Sequence, residues 1–344
     1  MSLISNIKMN NEVISFDLNN DSKEIKTSFA NALRRTIVSD IYTYIINDET
    51  IIFFDNTSML NNEFLKHRLT LIPIISDLDN IHYEDIKITC KKKNENENME
   101  NIYVSDFICV DNKNNIIDNN ILFKYPTILF AKLKNNQFLS FECKLTKNNA
   151  YYGGSFFSPV SVCVYTFKLD DKKVNEITND MNDAQKKTFA CQDIERIYKK
   201  NETGDPCCYQ FKIESIGFYN SKNILLLGID ALKERLNNLK IEFKNEKSKK
   251  ITLLENNENP DFFEFLIDHE NETIGNLLST YITYHPNIYF CGYVIEHPLK
   301  NNIILRIKLK EKNTLKNNIK IIDDMITYLV SLLDKIINDI KLTT

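Results

Sequence analysis

The stretch "FANALRRTIVSDIYTYI", residues 29 to 45, repeats an apolar residue at every fourth position and interrupts the series with two adjacent arginines. Phe29, Leu33, Ile37 and Ile41 recur at helical spacing with Ala30 and Ala32 beside them, so the segment predicts a helix with one apolar face. Thr27 or Ser28 is placed to cap its start. Arg34 and Arg35 fall about 100° and 200° round from Leu33, off that face. They are either a solvated charged flank or a rigid cationic knob offered to another protein, since a guanidinium suits bidentate contact with carboxylates and carbonyls. The surrounding sequence has to choose.

Further on, "NNEFLKHRLTLIPI" spans residues 61 to 74. Asn61 or Asn62 can cap a short helix with Glu63 in its first turn, where a carboxylate meets the positive end of the dipole. Phe64, Leu65 and Leu69 are expected on its inner face, and "LTLIPI" reads as a strand ended by Pro73. Glu63 and His67 stand four apart, within reach of each other. With Arg68 they form either an acid/base cluster or a surface ion cluster.

The last third of the chain has its own pattern. Residues 262 to 267 read as a strand, Asn271 can cap, and Ile274, Leu277, Leu278, Tyr281 and Ile282 mark an amphipathic helix. Tyr289 to Ile295 and Ile303 to Leu309 predict an antiparallel pair around "HPLKNN", with Ile307 and Leu309 alternating with Arg306 and Lys308. A terminal helix of about 25 residues follows, its apolar face carried by Leu329 and Leu333 among others; such a face has to bury itself in a groove, and the natural groove is the other half. Ala30-Asn31-Ala32-Leu33 and Gly275-Asn276-Leu277-Leu278 echo one another, suggesting a pseudo-twofold pair in which small residues let two helices approach closely. Phe29, Leu33, Ile37, Ile274, Leu277, Leu278, Tyr281, Leu329 and Leu333 are therefore the expected pairing residues.

Composition narrows the function classes. The 43 lysines and arginines nearly balance the 47 aspartates and glutamates, and a net charge of −4 supplies no cationic field for gripping a phosphate backbone. Eight cysteines lack the paired spacing of a disulfide framework, which points to a reducing, intracellular setting, and no apolar run is long enough to span a bilayer. No Walker loop, HExxH, GxSxG or GxGxxG occurs.

With "YYGGSFFSPVSVCVYTF" (151 to 167) and "YQFKIESIGFYNSKNILLLGIDALKERLNNL" (209 to 239), the first two stretches form four ordered blocks. They resemble the alpha-like assembly subunit of multisubunit RNA polymerases. Residues 262 to 309, with "GNLL" and the "CGY…HP" hairpin, resemble its small partner subunit. The resemblance implies a fusion of both partners, of the kind large cytoplasmic DNA viruses carry, placing it in host cytoplasm and virion.

It further implies an α+β fold with two pairing domains and an inserted, mainly β domain. The first pairing domain would take residues 1–45 and 160–243, the insert 46–159, a linker 244–260 and the second pairing domain 261–344. The linker's roughly 16 residues would span about 20–24 Å, enough to let the halves pair within one chain and leave it a monomer when isolated. The implied task is non-catalytic: docking the second-largest and largest polymerase subunits, with small zinc-binding subunits alongside and DNA reached only through the complex. Arg34, Arg35, Glu63, His67 and Arg68 match the motifs that face the large subunits.

Eukaryotic relatives often hold zinc in a cysteine-rich loop, but "SDLDNIHYEDIKITCKKK" offers only Cys90, with Asp77, Asp79 and His82 nearby, so no zinc or other cofactor is expected. The acidic cluster Asp77, Asp79, Glu84 and Asp85 reads as a solvated loop, and Cys207-Cys208 as an incidental pair. Two other classes remain: a hydrolase using a Cys–His pair, and a freestanding nucleic-acid-binding factor.

Overall fold

The computed structural model describes residues 2–20, 23–78, 81–202, 204–245, 247–254 and 261–343. The chain opens with β1 (Ile4–Met9), β2 (Val13–Asn19) and helix α1 (Thr27–Ser39). An insert follows: β3 (Thr43–Ile46), β4 (Ile52–Asn56), α2 (Asn62–Thr70), β5 (Lys87–Lys93), β6 (Glu100–Tyr103), β7 (Ile108–Val110), β8 (Ile116–Ile117), α3 (Asn119–Leu122), β9 (Leu129–Leu133), β10 (Phe138–Asn148) and α4 (Ala150–Gly153). The chain returns through β11 (Val160–Phe167), helices α5 (Asp171–Thr178) and α6 (Asp183–Gln192), β12 (Cys208–Ser215) and the long α7 (Ser221–Lys244). The last part comprises β13 (Ile251–Leu254), β14 (Phe263–Asp268), α8 (Glu272–Thr283), β15 (Ile288–Val294), β16 (Asn302–Leu309) and α9 (Leu315–Thr343).

The fold is α+β, as expected, and it contains one module twice. The first sheet runs β1-β2-β12-β11 and the second β13-β14-β16-β15, all pairs antiparallel. Each half is therefore two strands, a helix, two strands and a helix, in the same strand order. The insert interrupts the first copy between α1 and β11.

That repeat explains why part of the stretch expected as an exposed linker is strand. Ile251–Leu254 pairs with Phe265 and its neighbours in β14 and supplies the outer strand that β1 supplies in the first copy. Residues 255–260 of that stretch lie outside the described residues. Helices α5 and α6, between β11 and β12, have no counterpart in the second copy; the sequence reading placed no elements there.

The insert has a core of its own. Strand β10 is its spine, pairing β5 on one side and β3 and β4 on the other. Phe107 meets Phe123, Phe130 and Phe141 edge-on at 6.1, 5.3 and 5.3 Å, the arrangement aromatic quadrupoles favour.

Several local expectations are corrected. Neither Thr27 nor Ser28 caps α1: Lys26 is the N-cap and contributes no side-chain cap bond, while the Thr27 hydroxyl bonds the Tyr209 hydroxyl at 3.1 Å. Helix α2 runs through Leu69 and Thr70, so "LTLIPI" is not a strand; only Ile74 bridges, to Phe123. Phe64 is 64% exposed rather than on the inner face, because Leu65 and Leu69 already fill the side that packs inward. The small residue of the "GNLL" echo also acts differently. A Cβ on Gly275 would sit 2.7 Å from Tyr293 and 3.3 Å from Ile303, so it admits strands β15 and β16 rather than a second helix.

The close helix–helix approach lies instead at Gly228 of α7, where a Cβ would stand 2.4 Å from the Ile37 side chain and 3.4 Å from its Cα. Ile37 is wholly buried and has little room to yield. Gly228→Ala should therefore cost about 1–3 kcal/mol despite the better helix propensity of alanine. A rise in the urea midpoint instead would show that Ile37 repacks freely.

Candidate assembly interface

One hydrophobic core runs through both halves. It holds Phe29, Leu33 and Ile37 of α1, Ile274, Leu277, Leu278 and Tyr281 of α8, and Leu329 and Leu333 of α9, together with both four-stranded sheets. Helix α1 lies against α8 and α7 lies along α9. Helix α9 owes its burial to neighbours of both origins: α7 and β1 from the first half, α8 and β16 from its own. Each of Ile322, Ile326, Leu329 and Leu333 is fully buried, worth about 1.5–3 kcal/mol apiece relative to exposure. Aromatic pairs also cross the junction, Phe29 with Tyr281 at 6.4 Å and Phe243 with Phe265 edge-on at 5.6 Å.

Polar contacts fix the register of this core. The Tyr281 hydroxyl accepts from the Lys26 amide at 3.1 Å and donates to the Glu24 carbonyl at 2.9 Å. The Leu3 amide donates to Asp339 of α9 at 2.6 Å. Along the long helices Lys244 of α7 reaches Asp323 of α9 at 2.8 Å, and Lys233 pairs with Asp334.

A denser charge set sits where α7 passes the start of α8. Arg235 pairs with Asp40, just past α1, at 2.8 Å, and with Glu270, between β14 and α8, at 2.6 Å; it also donates to the Asn271 side chain at 3.2 Å. Glu270 is 1% exposed and takes a second cation, Lys250, at 2.8 Å. The Tyr151 ring lies 5.6 Å from the guanidinium. Burial works against the charge on Arg235, but Glu270 and Asp40 outweigh it and raise its pKa. The sequence reading missed this set. Its one available signal was Arg235 itself, a charge set on the buried stripe between Leu232 and Leu236.

The residues expected to face large subunits are scattered in role. Two of the Arg34 guanidinium nitrogens, Nε and Nη2, donate to Asn31 on the same helix at 3.1 and 2.9 Å. Arg35 reaches Glu272 of α8 at 3.5 Å, so it joins the two halves of this chain, through a pair exposed enough to be worth about 0–1 kcal/mol. Arg68 is committed internally: its Nη2 donates to the Leu129 carbonyl at 2.6 Å and its Nε to that of Phe130 at 3.1 Å, fastening α2 to β9. Glu63 and His67 are exposed, and among the described residues no hydrogen bond or ion pair joins them. The cluster is not assembled as acid/base machinery.

Among the described residues no group of three His, Cys, Asp or Glu is placed to hold a metal ion; Asp79 lies outside them. Cys90 is buried in β5, and burial pushes its thiol up to about 12, as it does for Cys109, Cys163 and Cys291. Such thiols are poor nucleophiles near neutrality. Cys208 is buried at the start of β12 with Cys207 half-buried beside it. Among the described residues no helix is long and apolar enough to cross a membrane.

A repeated β-β-α-β-β-α module, joined helix to helix over one core, defines a pairing fold. Two regions match family models described as the RNA polymerase Rpb3/Rpb11 dimerisation domain, residues 21–236 and 263–339. The first covers more than half of the chain, and the chain belongs to this family. Subunit Rpo3 of the DNA-directed RNA polymerase of Methanosphaera stadtmanae is 23% identical over 259 residues, 64% of this chain and 92% of that protein. Rpo3 of Pyrococcus furiosus is 35% identical over 66 residues, 19% of this chain and 24% of that protein. Subunit RPAC1 of RNA polymerases I and III of Saccharomyces cerevisiae is 37% identical over 84 residues, 24% of this chain and 23% of that protein.

Proposed function

We propose that this chain is the non-catalytic assembly platform of a DNA-directed RNA polymerase. It unites in one polypeptide the two dimerisation domains that nucleate the enzyme and presents them to the second-largest and then the largest subunit. The observation that carries this reading is the second copy of the module, residues 251–343, seated on the first through α7–α9 and α1–α8. Small zinc-binding subunits would dock alongside, and DNA would be met only through the assembled enzyme. A source among large cytoplasmic DNA viruses, with the protein in host cytoplasm and virion, is part of the same proposal and rests on the resemblance of the fusion.

The docking face is assigned to the outward sides of α1, with the partly exposed Arg34 and Arg35, and of α2, with the exposed Glu63 and His67; Phe54 and Phe64 in the insert are more than 60% exposed. Large apolar side chains left in water beside charges suit a protein partner. Tagged chain recovered from producing cells should bring the two large subunits with it. In the Arg34→Ala/Arg35→Ala variant the melting temperature should stay nearly unchanged while recovery of those subunits collapses. Undiminished recovery with a soundly folded variant would remove the arginines from the docking face. Salt-dependent DNA binding by the isolated wild-type chain would favour the nucleic-acid-binding alternative.

A further inference from the structure

Many buried positions of the two modules follow the same spacing. Along the long helices, Ile224, Leu225, Ile229, Leu232 and Leu236 of α7 correspond in spacing to Ile321, Ile322, Ile326, Leu329 and Leu333 of α9, all buried. In that register Arg235 falls on Leu332, which is fully buried. Along the short helices, Phe29, Leu33 and Ile37 correspond to Ile274, Leu278 and Ile282. In that register Glu270 falls on Ile25, also fully buried. The pseudo-twofold is thus broken at this place in the shared core: an ion pair stands on one side of it, and an isoleucine and a leucine in the same core stand at the equivalent positions on the other.

We propose that the Arg235–Glu270 pair is the element that makes each half select the other half rather than its own kind. If two first halves paired, each Arg235 would meet the partner's Ile25 in place of Glu270 and keep only Asp40. If two second halves paired, each Glu270 would meet the partner's Leu332 and keep only Lys250. Either arrangement leaves a buried charge short of a partner; the apolar helix faces are alike in pattern, and the other pairs across the halves, Lys233–Asp334, Lys244–Asp323 and Arg35–Glu272, are solvated enough to discriminate less. The role matters because like-with-like pairing between chains would link copies into dimers and longer assemblies, with the tether joining unlike halves. The inference rests on the geometry of the two halves and not on the polymerase role.

The test uses the full chain. Light and ¹⁵N-labelled protein are mixed, unfolded in urea, refolded together and analysed by light scattering during size-exclusion chromatography. Amine cross-linking with mass spectrometry then scores light–heavy links between Lys240 or Lys244 of one copy and the same helix of another. Wild type should refold as a monomer with few such links. Arg235→Leu/Glu270→Ile, apolar at both positions like the Ile25–Leu332 side, should fold and raise both the dimer fraction and the α7–α7 links by about tenfold. Arg235→Lys/Glu270→Asp, which keeps the charges, should behave as wild type. A double apolar variant that stays as monomeric as wild type would overturn the proposal. So would failure of both that variant and Arg235→Met/Glu270→Gln to fold, since the pair would then be a condition of folding and not of choice.

Discussion

Leu278→Asp should produce the largest single loss of stability in the molecule, about 4 kcal/mol or more. Leu278 is fully buried on α8 in the core shared by both halves, so the substitution removes a packed side chain and places a carboxylate among apolar neighbours. The tether keeps the halves in one molecule, and the expected product is a loosened chain rather than two separated pieces. Limited proteolysis should cut first between the end of α7 at Lys244 and the start of β13 at Ile251. The urea midpoint measures the first expectation and the digestion pattern the second. An unchanged pattern would mean that α8 does not hold the halves together.

Arg235→Ala should cost about 3–5 kcal/mol, the range for breaking a buried ion pair by removing one partner. Glu270 would stay 1% exposed with only Lys250 to balance it, and Asp40, at 12% exposure, would lose its guanidinium. The size of the loss comes from the charges left behind more than from the worth of the pair itself. Arg235→Leu combined with Glu270→Ile should accordingly recover most of the stability lost by the single variant, while Glu270→Ile alone should not. Urea unfolding of wild type, Arg235→Leu, Glu270→Ile and Arg235→Leu/Glu270→Ile closes a double-mutant cycle, and additive losses would show that the two side chains are not coupled.

Much of the architecture was legible because periodicity reports burial directly. Phe29, Leu33 and Ile37, or Ile274, Leu277 and Leu278, must share a helix face, and that face must be covered. The echo between the two short helices was legible for the same reason, and the structure extends it to the spacing of buried residues along the long helices. The local misreadings have one cause in common. Phe64 looks like its neighbour Leu65, and "LTLIPI" looks like a strand, because hydrophobic composition does not say which of two adjacent apolar side chains a short helix can turn inward. Ile251–Leu254 was hidden inside a charged, asparagine-rich run whose outer strand is ordered by β14 and not by its own pattern.

The sequence by itself determined that this chain carries two amphipathic strand–helix modules of one family and that their apolar faces need each other. That much follows from the spacing of side chains a few residues apart. The tertiary structure alone decided which charges join the halves. Arg235 reaches Glu270 across 35 residues and Asp40 across 195, and Arg35, read as an outward knob, turns to Glu272. Coulomb pairing depends on distance in space, which no local period encodes, so the partners of a buried charge become visible only when the chain has folded.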